Sequence, residues 1–223
     1  MSDPHLDAAV EFADNPEARC PCVILVDTSG SMQGEKIDAL NEGLRAFKQN
    51  LAADPLAALR VEIALISFDN EIKVQQEFGT VDRFDPPLLV AGGLTHMGSG
   101  VLKALEMTEA RKALYNASGV KYYRPWIFLI TDGKPEGEPE QVFAEAARRV
   151  HEAENNKRAV FYAVGVEGAD MAQLGQLSVR TPLRLKGMSF VEMFVWLSRS
   201  TQQVAKSRPD EQVALQPPGW GTV

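Results

Sequence analysis

Four mainly apolar runs punctuate the chain: Cys22 to Asp27 (CVILVD), Val61 to Phe68 (VEIALISF), Trp126 to Asp132 (WIFLITD) and Ala159 to Val166 (AVFYAVGV). Short, continuous runs of this kind predict strands buried on both faces. Between them the period changes. Ile37, Leu40, Leu44, Phe47 and Leu51 recur at steps of three and four, and Val142, Phe143, Ala146 and Val150 likewise fall on one side of a helix. Each set is the apolar side of an amphipathic helix. Asp54-Pro55 ends the first helix, and Pro139 suits the first turn of the second. After the second run, Ile72, Val74, Gln76 and Phe78 alternate as in a half-exposed edge strand, with Asp69-Asn70 as the hairpin turn.

The remaining segments are weaker. Residues Asp85 to Gly100 contain Pro86, Pro87, Gly92, Gly93, Gly98 and Gly100, a composition that predicts a flexible, exposed loop, with a helix following from Val101 to about Leu114. A short helix over Asp170 to Leu177, a strand over Leu183 to Leu185 and a helix around SFVEMFVWLSRS complete the pattern. Strands alternating with helices imply right-handed crossovers and a doubly wound, mostly parallel α/β sheet, here with one antiparallel edge strand and helices on both faces. The expected organisation is an N-terminal extension (1–19), one domain (20–205) and a Pro- and Gly-rich tail (206–223) that is either mobile or a docking strap.

Composition narrows the function. The 223 residues are 45% hydrophobic, enough for a proper core, and 23 basic against 30 acidic residues give a net charge of −7. No basic cluster exceeds two residues, so the footprint of a nucleic-acid binder is missing. Cys20 and Cys22 cannot make a disulfide framework. The acidic, proline-broken N-terminus lacks the pattern of a secretory signal, and no stretch is apolar enough to span a membrane. The expected setting is the cytoplasm.

The candidate chemistry lies where open parallel sheets place it, beyond the carboxyl ends of the strands. Asp27-Thr28-Ser29-Gly30-Ser31 puts a carboxylate and two hydroxyls on alternate positions of a turn. Thr95 stands in the glycine-rich loop, and Thr131-Asp132-Gly133 ends the third run. Hard oxygen donors at this spacing suit Mg²⁺ or Mn²⁺.

Asp-x-Ser-x-Ser, a threonine in the middle loop and Thr-Asp-Gly together resemble the von Willebrand factor A family over roughly Pro21 to Ser200. The resemblance implies a Rossmann-like fold and a metal-ion-dependent adhesion site formed by Asp27, Ser29, Ser31, Thr95 and Asp132, which takes an Asp or Glu from a protein partner. Within the family, CPCVILVDTSGSM and IDALNEGLRAFKQNL look most like the cytoplasmic bacterial members of tellurite-resistance and stress operons (the TerY-like group). That likeness implies a non-enzymatic adaptor accompanying a protein kinase and a PP2C-type phosphatase. The cysteine-rich zinc module of some relatives has no counterpart in this sequence.

Blander readings stand beside this one. Asp27 or Ser31 alone could be a helix cap, Asp132 a turn former, and His96 a locally satisfied loop residue. Cys20 and Cys22 with His5 or His151 lack the paired spacing of a zinc site and read as packing residues. The stripe Phe190, Met193, Phe194 and Leu197 reads as core, with a partner groove as the alternative, and in that case the chain is a structural subunit with a vestigial metal site. Arg148-Arg149 reads as a solvated helix face. A haloacid-dehalogenase-like hydrolase using Asp27 needs a general acid two positions on, where Ser29 stands. No Gly-Lys-Ser/Thr phosphate cradle is present.

Overall fold

The apolar runs become strands β1 (Cys20–Asp27), β2 (Val61–Phe68), β4 (Trp126–Thr131) and β5 (Val160–Gly165), buried along nearly their whole length in a computed structural model. The structure describes residues 12, 14–209 and 211–222; most of the 1–19 extension, His5 included, lies outside them. The alternating segment forms β3 (Ile72–Thr80), antiparallel to β2 through the Asp69-Asn70 turn, and β6 (Leu183–Leu185) follows β5 in parallel. A further two-residue strand, β7 (Gly221–Thr222), pairs antiparallel with β6. The sheet has seven strands in the order β3-β2-β1-β4-β5-β6-β7. The expected antiparallel edge is β3, and β7 adds a second, short one that the sequence pattern does not announce.

Alternation along the central strands builds two cores. Cys20, Cys22, Ile24 and Val26 of β1 face one side, where Leu40, Leu44, Phe47 and Leu51 of helix α1 (Glu35–Ala52) meet Phe190, Met193, Phe194 and Leu197 of the last helix, Phe190–Lys206. Val23 and Leu25 face the other side, against Met97, Val101 and Ala104 and against Ala146 and Val150. The stripe on the last helix is therefore core rather than a partner groove. Its contact with α1 is close: Phe47 and Phe194 lie 5.5 Å apart between ring centroids, and a Cβ on Gly43 would sit 2.6 Å from the Phe194 ring.

Three local outcomes add to the sequence pattern or depart from it. Asp54 ends α1 but also starts a short helix, α2 (Pro55–Arg60), by accepting from the N–H groups of Leu56 and Ala57 with proline in the first turn. Helix α3 (Met97–Ala117) begins inside the segment expected to be loop and takes in Gly98 and Gly100. These glycines serve close approach: an added Cβ would lie 2.9 Å from the Phe143 backbone at Gly98 and 3.2 Å from the Phe68 side chain at Gly100. Third, the tail docks. Trp196 Nε1 donates to Gln216 O at 2.8 Å, Lys186 N to Trp220 O at 3.0 Å, and Trp220 is buried. Helices α4 (Glu140–Asn155), α5 (Met171–Leu177) and α6 (Phe190–Lys206) fall where the pattern puts them. Arg148 pairs with Glu145 and Glu152 on an exposed face of α4.

At the amino ends of β1 and β2 the sheet buries charge. Glu62, fully buried, accepts from Arg19 Nε at 2.8 Å, from Arg111 Nε at 2.7 Å and from the Tyr115 hydroxyl. The Phe12 ring lies against both guanidiniums, 5.4 Å from that of Arg19 and 5.0 Å from that of Arg111. Cys20 and Cys22 are buried, free thiols inside β1; burial, with the Glu62 charge beside it, pushes the Cys20 thiol up to about 12. Both cysteines are packing residues.

Candidate functional site

Strand order places the site. β1 connects to β2 on one side through α1, and the chain returns to β4 on the other side through α3. The crossovers thus part at the carboxyl ends of β1 and β4, the position where an open sheet leaves a crevice.

Asp27 closes β1 there, fully buried. Its Oδ1 accepts from Ser29 N at 2.8 Å and its Oδ2 from the Thr131 hydroxyl. Burial pushes the Asp27 carboxyl up to about 6; the hydrogen bonds from Ser29 and Thr131 pull it back, and the charge of Asp132 adds to the rise. A one-turn 3-10 helix, Gly30–Met32, then swings Ser31 over the strand end. Ser29 Oγ and Ser31 Oγ lie 3.0 Å apart, and Ser31 Oγ donates to Asp132 Oδ1 at 2.6 Å.

Thr95 arrives from the opposite side. Its N–H donates to Glu136 O at 3.2 Å and its carbonyl accepts from Glu136 N at 2.9 Å, an antiparallel bridge to the loop after β4. Against the expectation of an exposed loop, Thr95 is buried, because that bridge folds it beneath the loop. A Cβ placed on Gly133 would stand 3.3 Å from Thr95 Oγ1 and 3.4 Å from Asp27 Oδ2, so the hydroxyl and the carboxylate flank one point. All five residues singled out in the sequence are therefore brought together.

Four supporting residues were not visible in the sequence. Lys36, in the first turn of α1, donates to Asp132 Oδ2 and, at 2.9 Å, to Glu167 O. Asn70 Oδ1, in the β2–β3 turn, accepts from Leu94 N. Glu136 supplies the Thr95 bridge. Glu138 accepts from Gly98 N at 2.5 Å, from Ser99 N at 3.0 Å and from Ser99 Oγ at 2.8 Å. It caps α3 from a distant loop, which satisfies N–H groups that the local residue, His96, leaves without a side-chain cap. An acid before a helix is a legible signal, but here it points to α4 in the sequence and serves α3 in space. His96 donates its own N–H to Asp69 O at 3.0 Å and packs against Gly137.

The cluster offers only oxygens, two carboxylates among hydroxyls, with one resident ammonium. Among the described residues no group of three or more His, Cys, Asp or Glu is placed to hold a metal. An ion bound here must therefore draw on the hydroxyls. Adjacent oxygens around an octahedral Mg²⁺, with bonds of about 2.1 Å, stand about 3 Å apart. The separations of 3.0 Å and 2.6 Å fall around that value, so the donor set fits a small, hard divalent cation.

A family model, the von Willebrand factor type A domain, matches residues 22–191. No curated protein matches the chain. Among solved structures, proximal thread matrix protein 1 from the mussel byssus is similar, with a TM-score of 0.58 at 15% identity over 84% of this chain and 48% of that one. The pilus adhesin SpaC from Lactobacillus rhamnosus GG gives 0.64 at 15% identity over 86% and 31%. The ArnB paralog VWA2 from Sulfolobus acidocaldarius gives 0.55 at 19% identity over 82% and 45%. The chain spans less than half of each of these proteins, and at such identities the likeness is one of fold. A further structure of the mussel protein is described as having a zinc-occupied MIDAS motif, at 16% identity and a TM-score of 0.56.

Proposed function

Because the chain belongs to the von Willebrand factor type A domain family, we propose that Asp27, Ser29, Ser31, Thr95 and Asp132 hold a divalent cation that receives an Asp or Glu carboxylate from a protein partner. On this reading the chain is a metal-dependent protein-binding module with no turnover of its own. One observation carries it: the oxygens of Ser29, Ser31 and Asp132 are spaced as neighbouring ligands of one ion. Asp27 and Thr95 border the same space.

The metal, Mg²⁺ or Mn²⁺, supplies a positive centre with a replaceable water; the protein orients the oxygens around it. Hydroxyl ligands add no formal charge, which leaves such a cation attractive to an incoming carboxylate. Asp27, bonded to Ser29 N and Thr131, fixes the turn rather than acting as a nucleophile, and no acid follows it two residues on. Lys36 holds Asp132 in place and neutralises part of the site.

The resemblance of CPCVILVDTSGSM and IDALNEGLRAFKQNL to TerY-like proteins extends the proposal to an adaptor in a cytoplasmic tellurite-resistance or stress system, with a protein kinase and a PP2C-type phosphatase as partners. The test is calorimetric titration of Mg²⁺ and Mn²⁺, followed by capture from native lysate with Mg²⁺ and with EDTA. Binding of one ion that is lost in Ser31→Ala, and kinase or phosphatase captured only with Mg²⁺, is the expected result. Equal capture in EDTA overturns metal dependence, and metal-dependent phosphate-ester hydrolysis abolished by Asp27→Ala overturns the non-enzymatic reading.

A further inference from the structure

The segment leading into the site has an unusual construction. Asn41 of α1 clamps the peptide of Leu89 from both sides: its Nδ2 donates to Leu89 O at 2.9 Å, and its Oδ1 accepts from Leu89 N at 2.9 Å. Leu89 itself is 4% exposed, while its neighbours Leu88 and Val90 are 73% and 76% exposed. This is the alternation of an extended strand, with an asparagine side chain taking the place of a partner strand on one side. On the other side the edge is open. In an extended chain the N–H and C=O of residues 88 and 90 point away from those of residue 89, and among the described residues neither Leu88 nor Val90 has a hydrogen-bonded backbone group.

The segment is also pinned at its site end. Gln33 Nε2 donates to Ala91 O at 3.3 Å, Gly92 N to Thr28 O at 2.8 Å, and Gly30 N to Gly93 O at 3.0 Å. Thr28 and Gly30 alternate with Asp27, Ser29 and Ser31, so the open edge runs directly into the proposed metal site. Pro86 and Pro87, which can offer no N–H, confine the edge to a few residues. Leu88 and Val90 are the two most exposed large apolar side chains among the described residues, and they stand on a held backbone rather than a loose one.

We propose that residues 88–90 are a β-augmentation edge: a partner's extended segment pairs with Leu88 and Val90, lays alternate apolar side chains on them, and carries the carboxylate that reaches the metal. This deepens the metal-and-carboxylate reading and rests on it. Free backbone donors and acceptors in strand spacing select an extended polypeptide as the occupant, and the cation beside them selects an acidic one. At about 3.3 Å per residue, a partner segment of about five residues spans from Leu88 to the strand end of β1.

The probe is a displayed library of random peptides around one fixed aspartate, selected on the whole chain in Mg²⁺. The expected winners carry apolar residues at every second position on one side of the aspartate. Leu88→Ser and Val90→Ser should each weaken a winning peptide about tenfold, with the Mg²⁺ affinity from calorimetry unchanged. Amide exchange should show the Leu88 and Val90 N–H groups becoming protected when peptide binds, while that of Leu89 is protected throughout. Winners that bind equally well in EDTA overturn the metal reading itself. Mg²⁺-dependent winners indifferent to both serine variants, or no Mg²⁺-dependent winner at all, overturn the edge proposal. Self-association of the chain that disappears in the serine variants would give the edge to a second copy and overturn it too.

Discussion

Glu62→Gln tests how the end of the sheet remote from the site is held. The carboxylate is fully buried and accepts from Arg19, Arg111 and Tyr115 at once. Glutamine offers one carbonyl oxygen in place of two charged ones, and its amide turns two N–H donors toward a guanidinium. Both guanidiniums then lose, in a low-dielectric pocket, the charge of the carboxylate they share. Removing one partner of a buried pair typically costs about 3–5 kcal/mol. For a chain of this size each kcal/mol moves Tm by about 2–4 °C, so the melting temperature should fall by roughly 6–20 °C. Scanning calorimetry or circular dichroism reads the shift. Mg²⁺ affinity at 25 °C should stay the same, because Glu62 is six residues from the site end of β2, about 20 Å along the strand. A loss below about 1 kcal/mol would refute the argument, since it would mean that the guanidiniums find other compensation.

Other perturbations act at the site. Asp27 titrates at about 6 in the folded chain against 3.8 for its ordinary value; with the metal removed, stability from this group is present below about pH 4 and is lost as pH rises toward 6, by roughly 1–3 kcal/mol. Urea melts in EDTA between pH 4 and 7 should show that slope, absent in Asp27→Asn, and Mg²⁺ binding should weaken as pH falls below about 6. Lys36→Met removes the ammonium from Asp132 and should tighten Mg²⁺ about tenfold, the equivalent of roughly 1.4 kcal/mol; unchanged or weaker binding in calorimetry contradicts a competing role for Lys36. Glu138→Ala strips the start of α3 of its cap and should cost about 1–2 kcal/mol in a denaturant melt, whereas an unchanged midpoint would mean that water caps the helix equally well.

Much of this architecture can be read from the chain because it is dictated locally. β1, β2 and β4 need continuous apolar runs to lie between two helical layers, and Asp27 and Asp132 mark where two of those runs end. The stripes on α1 and α4 follow from one-sided burial. What escaped is non-local. Gly98 and Gly100 look like loop residues until Phe143 and Phe68 are known to press on them. Glu138 caps a helix some forty residues before it, and Lys36 meets Asp132 across 96 positions. The tail carries no period, since what fixes it is the burial of Trp220 and the pairing of two residues with β6 rather than a repeating face. Asp27, Ser29 and Ser31 were legible as candidates from their local spacing and Asp132 from its place at a strand end, whereas Thr95 joined them through the family resemblance; the burial of Thr95 was not legible, because it depends on Glu136.

The Thr95–Glu136 bridge and the Glu138 cap join the loop before α3 and the loop after β4 into one piece. Conformational entropy for both loops is therefore surrendered when the chain folds, not when an ion arrives. On the proposed reading, metal entry would rearrange water and one lysine more than it orders backbone, and the ion-loaded surface would meet a partner already in shape.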